Sequence, residues 1–259
     1  MKRRTFIQSA SASALAAVGV GLSSRWQPAQ AQNSSNAVTI QYLGHTCFLF
    51  SGSGRRILVN PFQTVGCTAG YRRPQVAADL VMISSRLLDE GATDGLPGNP
   101  RLLSEPGIYE FSQMQVQGIA TDHDDLGGRR FGRNVAWRWN QGGLNILHLG
   151  GAAAPITLEQ QILMGRPDVV LLPVGNGPKA FTPDEAKAAI QTLNPKLVIP
   201  TQFRSQAADA ATCDILPVDD FLNLMQGTSV RRIGDSLTLR RADLPASGFR
   251  IDVMSYRFS

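Results

Sequence analysis

Polar and apolar positions alternate through the first half of the chain. In Val38–Leu43 the apolar side chains fall at Val38, Ile40 and Tyr42, with Thr39 and Gln41 between them. That is the period-two pattern of a half-buried strand. Cys47–Phe50, Arg56–Val59 and Leu80–Ile83 follow as strand candidates, and Ser51-Gly52-Ser53-Gly54 between two of them is a hairpin signal. Residues 60–76 carry Pro, Gly, Cys and two arginines and read as a long loop, the kind that usually serves function or moves. Further strands are expected at Gly107–Phe111, Met114–Ala120, Val135–Trp139 and Leu144–Leu149, with a turn at Gln141-Gly142-Gly143. Trp137 and Trp139 share one face of their strand, opposite Arg138, and core packing is their default role.

The pattern then changes to strands alternating with helices. Thr157–Met164 reads as a short helix and Val169–Val174 as a buried strand. Thr182-Pro183-Asp184-Glu185 is a capping box with Pro at the first helical position. Ala186, Ala189, Ile190 and Leu193 recur behind it at helical spacing. Leu197–Pro200 is the next strand and Val218–Met225 a further short helix, while Ser229–Arg232 with Ser236–Arg240 suggests a closing hairpin. Such a chain fits an α/β sandwich of two sheets with helices on the outside.

The N-terminus reads differently from the rest. Lys2-Arg3-Arg4-Thr5-Phe6-Ile7-Gln8, a mildly apolar stretch from Ala10 to Leu22 and the small-x-small site Ala29-Gln30-Ala31 match a cleavable twin-arginine signal over residues 1–31. A polar linker, 32–37, would lead into one domain over 38–259. The apolar stretch is interrupted by serines and is shorter than the ~20 residues a membrane span needs. The expectation is export by the twin-arginine translocase to a periplasm or thylakoid lumen, with no integral span after cleavage. The formal charge of +5 shrinks accordingly. Four of the 25 bases (Lys2, Arg3, Arg4 and Arg25) and none of the 20 acids lie in the leader, so residues 32–259 carry about +1. That balance gives no support to nucleic-acid binding. Three cysteines leave at least one thiol unpaired within the chain. Cys47 falls in a core strand, and the loop residues Cys67 and Cys213 are the better pair.

Six segments, in order, resemble the metallo-β-lactamase superfamily, in particular its lactonase-like, zinc-dependent hydrolase branch. They are Thr39–Phe50, Ile57-Leu58-Val59-Asn60-Pro61-Phe62, Thr121-Asp122-His123-Asp124, Leu144–Gly151, Asp168–Gly175 and Lys196–Phe203. The resemblance implies a four-layer αββα sandwich. It also implies a metal motif Ser-His-x-His-x-Asp-His-x-Gly after the strand at 80–83, where this chain reads Ser84-Ser85-Arg86-Leu87-Leu88-Asp89-Glu90-Gly91. The histidines of that pattern fall on Ser85, Leu87 and Glu90, and only Asp89 is kept. Gly151 stands where the metal-bridging Asp would be, Gln202 replaces the last ligand, and Asn60 replaces an Asp.

A hydrolytic zinc site needs about three protein ligands and a water whose pKa the metal lowers. Ser85 and Leu87 cannot replace imidazole, and Asp89 with His123 is too thin a set for a dinuclear centre. The first expectation is therefore a protein with an eroded site and no cofactor, non-catalytic or ligand-binding, whose cleft is lined by His45, Ser85, Glu90, His148 and Gln202. Its partner would be a small-molecule ligand or another protein. The alternative is a metal-dependent lactone, phosphodiester or ester hydrolase with a rebuilt site. Asp89 and His123 are its catalytic candidates, and Asp89, Glu90 and His123 can hold one divalent ion (Mn, Mg or Zn). A metal-free arrangement of Ser84 or Ser85 with His123 and Asp89 as nucleophile, base and orienter is a further variant. His123-Asp124-Asp125 is itself a weak metal candidate.

Overall fold

The computed structural model describes residues 36–258. The expected leader, residues 1–31, lies outside the described residues, as do residues 32–35 of the expected linker. Alternation in the N-terminal half produces β1 (Ala37–Gly44), β2 (Cys47–Gly52), β3 (Arg55–Val59), β4 (Leu80–Met82) and β5 (Arg101–Leu103). A second set follows with β6 (Gly107–Phe111), β7 (Met114–Asp122), β8 (Arg133–Gln141) and β9 (Leu144–His148). The alternating half adds α1 (Leu158–Met164), β10 (Val169–Pro173), α2 (Pro183–Leu193), β11 (Leu197–Thr201), α3 (Val218–Leu224), β12 (Ser229–Ile233), β13 (Ser236–Arg240) and β14 (Arg250–Met254).

The strands form two sheets. The first has the order β13-β1-β2-β3-β4-β5 and the second β12-β14-β11-β10-β9-β8-β7-β6. β12 and β13 are therefore not the closing hairpin their spacing suggests. β12 runs parallel to β14, while β13 pairs antiparallel with β1. The chain crosses between sheets in the two residues from Ile233 to Ser236, and periodicity within each strand carries no information about its partner. β5 and β14 escaped the sequence reading altogether. β5 is three residues long, and β14 contains the buried Asp252, whose charge interrupts an otherwise apolar run. Arg231 and Arg250 neutralise that carboxylate.

The inner faces of the sheets enclose the main core, which includes Ile40, Phe50, Val59, Trp137, Trp139 and Leu171. Trp137 and Trp139 both point into it, as their spacing predicts. The ring of Trp139 meets Phe50 edge-on, with 4.9 Å between centroids. α1, α2 and α3 cover the outer face of the second sheet, burying Met164, Ala186, Ile190 and Phe221 against Leu147, Val170 and Val198. α2 begins as expected: Thr182 caps it and Glu185 closes the capping box. The outer face of the first sheet is covered by loop instead of helix. Phe62, Tyr71 and Ala207 pack on Leu49, Leu58 and Val81. Residues 60–100 carry four prolines, Pro61, Pro74, Pro97 and Pro100, and form no α-helix, only a 3-10 turn at Gly66–Thr68. Among the described residues, no helix is long and apolar enough to cross a membrane.

Cys67 and Cys213 form a disulfide, and Cys47 is a buried free thiol. The bridge joins the 60–76 loop to the segment after β11, across 146 residues of sequence. The same two segments are also held by Gly70 N–H donating to Ala207 O and Asp209 N–H donating to Gly66 O. Replacing both cysteines by serine should leave the native contacts in place and act on the unfolded chain. A loss of about 2–5 kcal/mol in chemical denaturation is expected, and the same loss should follow reduction of the wild type.

Candidate functional site

The residues singled out by the metal-motif pattern lie just beyond the C-terminal ends of β4, β7, β9 and β11, with His45 in the turn between β1 and β2. In sheets with parallel strands this is the end where ligands bind. Asn60 closes β3 in a left-handed conformation (φ 51°), and its Oδ1 accepts the Ser84 N–H at 2.8 Å. The Ser84 carbonyl in turn accepts from Val135 N–H, and the Trp137 indole donates to Ile83 O. These bonds clamp the end of β4 in the first sheet against β8 in the second.

The turn after β4 then presents its side chains. Gly91 N–H donates to Leu87 O at 2.7 Å, and a Cβ at Gly91 would stand 2.2 Å from Ser85 O, so only glycine allows this turn to close. Ser85 donates to Glu90 Oε1 at 2.5 Å. The same carboxylate accepts a short hydrogen bond from His123 Nε2, forming an ion pair that is fully buried. Asp89 forms a close ion pair with Lys179, and both side chains are 17% exposed. Leu87 offers no donor and is half-buried.

The other candidates occupy different roles. His148 Nε2 donates to Thr46 O, while its Nδ1 accepts from Gly150 N–H, both at 3.0 Å. These two bonds fix a neutral tautomer, and burial pushes its pKa down to about 4. His148 is thus part of the scaffold and not of a cleft lining. Asp124 does not offer a metal site either. Its carboxylate accepts from the N–H groups of Leu126, Gly128, Arg130 and Phe131, and it organises the loop after His123. His45 (φ 55°) and Gln202 (φ 50°) are buried side by side, with Gln202 N–H donating to His45 O. Burial lowers the His45 pKa, partly countered by the Asp89 charge. Ser85, Glu90, His45 and Gln202 are all buried, so the expected open cleft is a closed polar cluster.

Two opposed effects set the charges of the central pair. Burial pushes Glu90 up, but the His123 charge and the hydrogen bonds from His123 and Ser85 outweigh it and bring Glu90 down to about 2. Burial pushes His123 down, but Glu90 outweighs it and raises the imidazole above its ordinary value. Asp89 and Glu90 thus each face one basic partner, Lys179 and His123 respectively.

Nine buried polar atoms in this region have no hydrogen-bond partner within the protein: both ring nitrogens of His45, Thr46 Oγ1, Asn60 Nδ2, Ser84 Oγ, Glu90 Oε2, His123 Nδ1, Thr201 Oγ1 and Gln202 Oε1. The donors do not fit a divalent metal. No group of three or more His, Cys, Asp or Glu side chains is arranged to hold one among the described residues. Asp89 and one nitrogen of His123 are already engaged in ion pairs. The place of the bridging aspartate is also filled. A Cβ at Gly151 would lie 2.2 Å from His123 Cε1, so the imidazole occupies the space a side chain at 151 would need.

Lys179 is the charged residue at this site that motif reasoning missed. It lies in the loop after β10, outside every motif position. One signal was available: the chain has four lysines against 21 arginines, and this one stands alone in Gly175-Asn176-Gly177-Pro178-Lys179, directly after a buried strand.

Comparison with known proteins points the same way as the fold. The profile described as the beta-lactamase superfamily domain matches residues 39–202. A protein of Thermoplasma acidophilum named a UPF0173 metal-dependent hydrolase is 25% identical over 190 residues, covering 62% of this chain and 81% of its own. A like-named protein of Thermus thermophilus is 28% identical over 199 residues, covering 65% and 84%. A crystal structure from Thermotoga maritima, named for a Zn-dependent hydrolase of the metallo-beta-lactamase superfamily, superposes with a TM-score of 0.68 at 29% identity, covering 85% of this chain and 100% of that one.

Two tests follow from the packing and the charges. Gly151→Ala should destabilise the protein by about 1–3 kcal/mol through overpacking. In a His123→Ala background the same substitution should cost almost nothing, as a double-mutant cycle would show. The ion pair also has a pH window. Glu90 has a folded pKa below its ordinary 4.5, so its contribution is present above pH 4.5 and is lost as pH falls toward about 2. His123 has a folded pKa above its ordinary 6.5, so its contribution is present below pH 6.5 and is lost as pH rises through the folded value. The stability gap between wild type and His123→Ala, followed by denaturation across pH, should be widest between 4.5 and 6.5.

Proposed function

The chain belongs to the beta-lactamase superfamily, and from that premise we propose that it is a hydrolase with a rebuilt site, in which a Glu90–His123 dyad takes over from a metal. One observation carries the reading. Glu90 holds Nε2 of His123 and leaves Nδ1 without a partner, the arrangement of a base and its orienting carboxylate. Of the residues expected to form a metal-free triad, Asp89 is engaged with Lys179, Ser85 bonds Glu90, and Ser84 keeps a free buried hydroxyl. Below its raised pKa the His123 ring is an imidazolium whose Nδ1–H can donate to a developing oxyanion or leaving group. Above it, the neutral ring can accept a proton from water while Glu90 keeps its orientation. The relatives' names support hydrolysis, and the chemistry of this chain's donors supports doing it without the divalent ion those names imply.

A second reading is the eroded, ligand-binding protein. The burial of Glu90 and His123 at 1% and 0% exposure favours it, because no substrate reaches them without movement. A surface cavity of about 290 Å³ lies beside the site, lined by Pro178 and Ala180 on either side of Lys179 together with Asp125 and Asp214. We further propose export by the twin-arginine route to a periplasm or thylakoid lumen. The leader motif supports it, and so does a Cys67–Cys213 disulfide, which persists in oxidising compartments.

The decisive assay is turnover of ester, lactone and phosphodiester substrates with EDTA and with added Mn²⁺. The rebuilt hydrolase should resist the chelator, and His123→Ala should lower kcat by about 100-fold or more. Activity that EDTA extinguishes would refute the metal-free dyad. No turnover of any substrate, together with a small molecule retained through purification, would establish the ligand-binding reading.

A further inference from the structure

We propose that Lys179 is the resident cation of this site: its ammonium holds Asp89 in place of a divalent ion and keeps such ions out. The inference rests on the metal-free reading above and explains what makes that state stable.

The loop that carries Lys179 is fixed from both sides. Asn176 is left-handed (φ 49°) and its N–H donates to Phe181 O, while Ala180 N–H donates to Gly177 O, closing a tight turn. A Cβ at Gly175 would stand 2.1 Å from Gln202 O, and one at Gly177 would stand 2.5 Å from Ile215 Cγ2. The backbone is therefore pressed against the segment after β11 and cannot carry the lysine away without breaking those contacts. From that position Nζ reaches Asp89 and lies 5.8 Å from the centre of the Phe131 ring. Phe131 is itself placed by the Asp124 loop, 6.4 Å from the His123 ring.

The lysine charge is central to the cluster. It acts on His45, Glu90 and His123 as well as on its partner Asp89. By contact the ammonium is seated on Asp89, beside the ring of Phe131. With Lys179 present, Asp89 is paired with the lysine and Glu90 with His123. A divalent ion could reach the Asp89 carboxylate only by displacing the ammonium. The residue type suits the task. A lysine ammonium is a compact point charge on a flexible stem, whereas a guanidinium is a broad planar fork. This chain uses lysine here although its other bases are overwhelmingly arginine.

The test is metal binding and not activity. Wild type, Lys179→Gln, Lys179→Arg and the double variant Asp89→Asn/Lys179→Gln are titrated with MnCl₂ and with ZnCl₂ by calorimetry. Wild type, Lys179→Arg and the double variant should bind neither ion. Lys179→Gln, with Asp89 released, should gain on the order of tenfold or more in affinity. If Lys179→Gln binds metal no better than wild type, the proposal fails while the Glu90–His123 dyad is untouched. Metal binding by the wild type would also overturn it. The dyad would then be judged separately by whether turnover survives EDTA. Should Lys179→Gln fail to fold, the double variant decides. Its recovery of the fold identifies the lysine as the counter-cation of Asp89, and its failure shows a packing role and ends the proposal.

Discussion

The Glu90–His123 ion pair is the interaction on which the site end of the sandwich depends. Each partner is buried to the point where its charge would be untenable alone. Removing one partner of such a pair typically costs about 3–5 kcal/mol, because the other is left uncompensated. The pair also fixes geometry at a distance. The imidazole fills the volume beside Gly151, and Ser85 is drawn onto the Glu90 carboxylate. Asp89, the next residue along, then has to find its own cation, and the β10–α2 loop supplies it.

The scaffold delivers these groups by stopping strands at the right place. Asn60, His45 and Gln202 all adopt left-handed backbone conformations at or just past strand ends. Such conformations are uncommon for residues other than glycine and are held only where surrounding contacts over-determine them. Here the contacts are visible: Asn60 is bonded to Ser84, and Gln202 to His45. Other left-handed residues, Ser53, Ser112, Gln113 and Asn194, sit in hairpin turns and at the end of α2, while the sheet registers are regular over most of their length.

Much of the sandwich was legible because its elements are either strictly alternating or strongly capped. β1 alternates buried and half-buried residues along its whole length, and α2 carries its own start signal in Thr182-Pro183-Asp184-Glu185. Pairing was not legible. β12 and β13 look like one hairpin because turn residues separate them, yet the chain uses that turn to change sheets. Within the site, the absence of metal donors at Leu87, Gly151 and Gln202 could be read directly. The positive features could not. Glu90 looked like a weak metal ligand and is the partner of His123, and Lys179 arrives from 90 residues away. Sequence motifs record which residues are near one another in the chain, and charge compensation is settled between residues that are not.

The orphaned polar atoms decide what kind of space this is. Leaving a buried donor or acceptor unsatisfied costs about 1–3 kcal/mol. Nine of them together would consume most or all of the roughly 5–15 kcal/mol by which a folded domain is stable. A dry, collapsed remnant is therefore not a tenable description of this region. His45, Ser84, Thr201, Gln202 and the free nitrogen of His123 need hydrogen-bonding partners from outside the chain, either ordered waters or a polar ligand. A metal would satisfy only the acceptors among them. Asn60 Nδ2 and an imidazolium N–H at His123 are donors, and they call for oxygen atoms. Unmet needs of both kinds are what ordered water, which donates and accepts, can meet in a closed cluster.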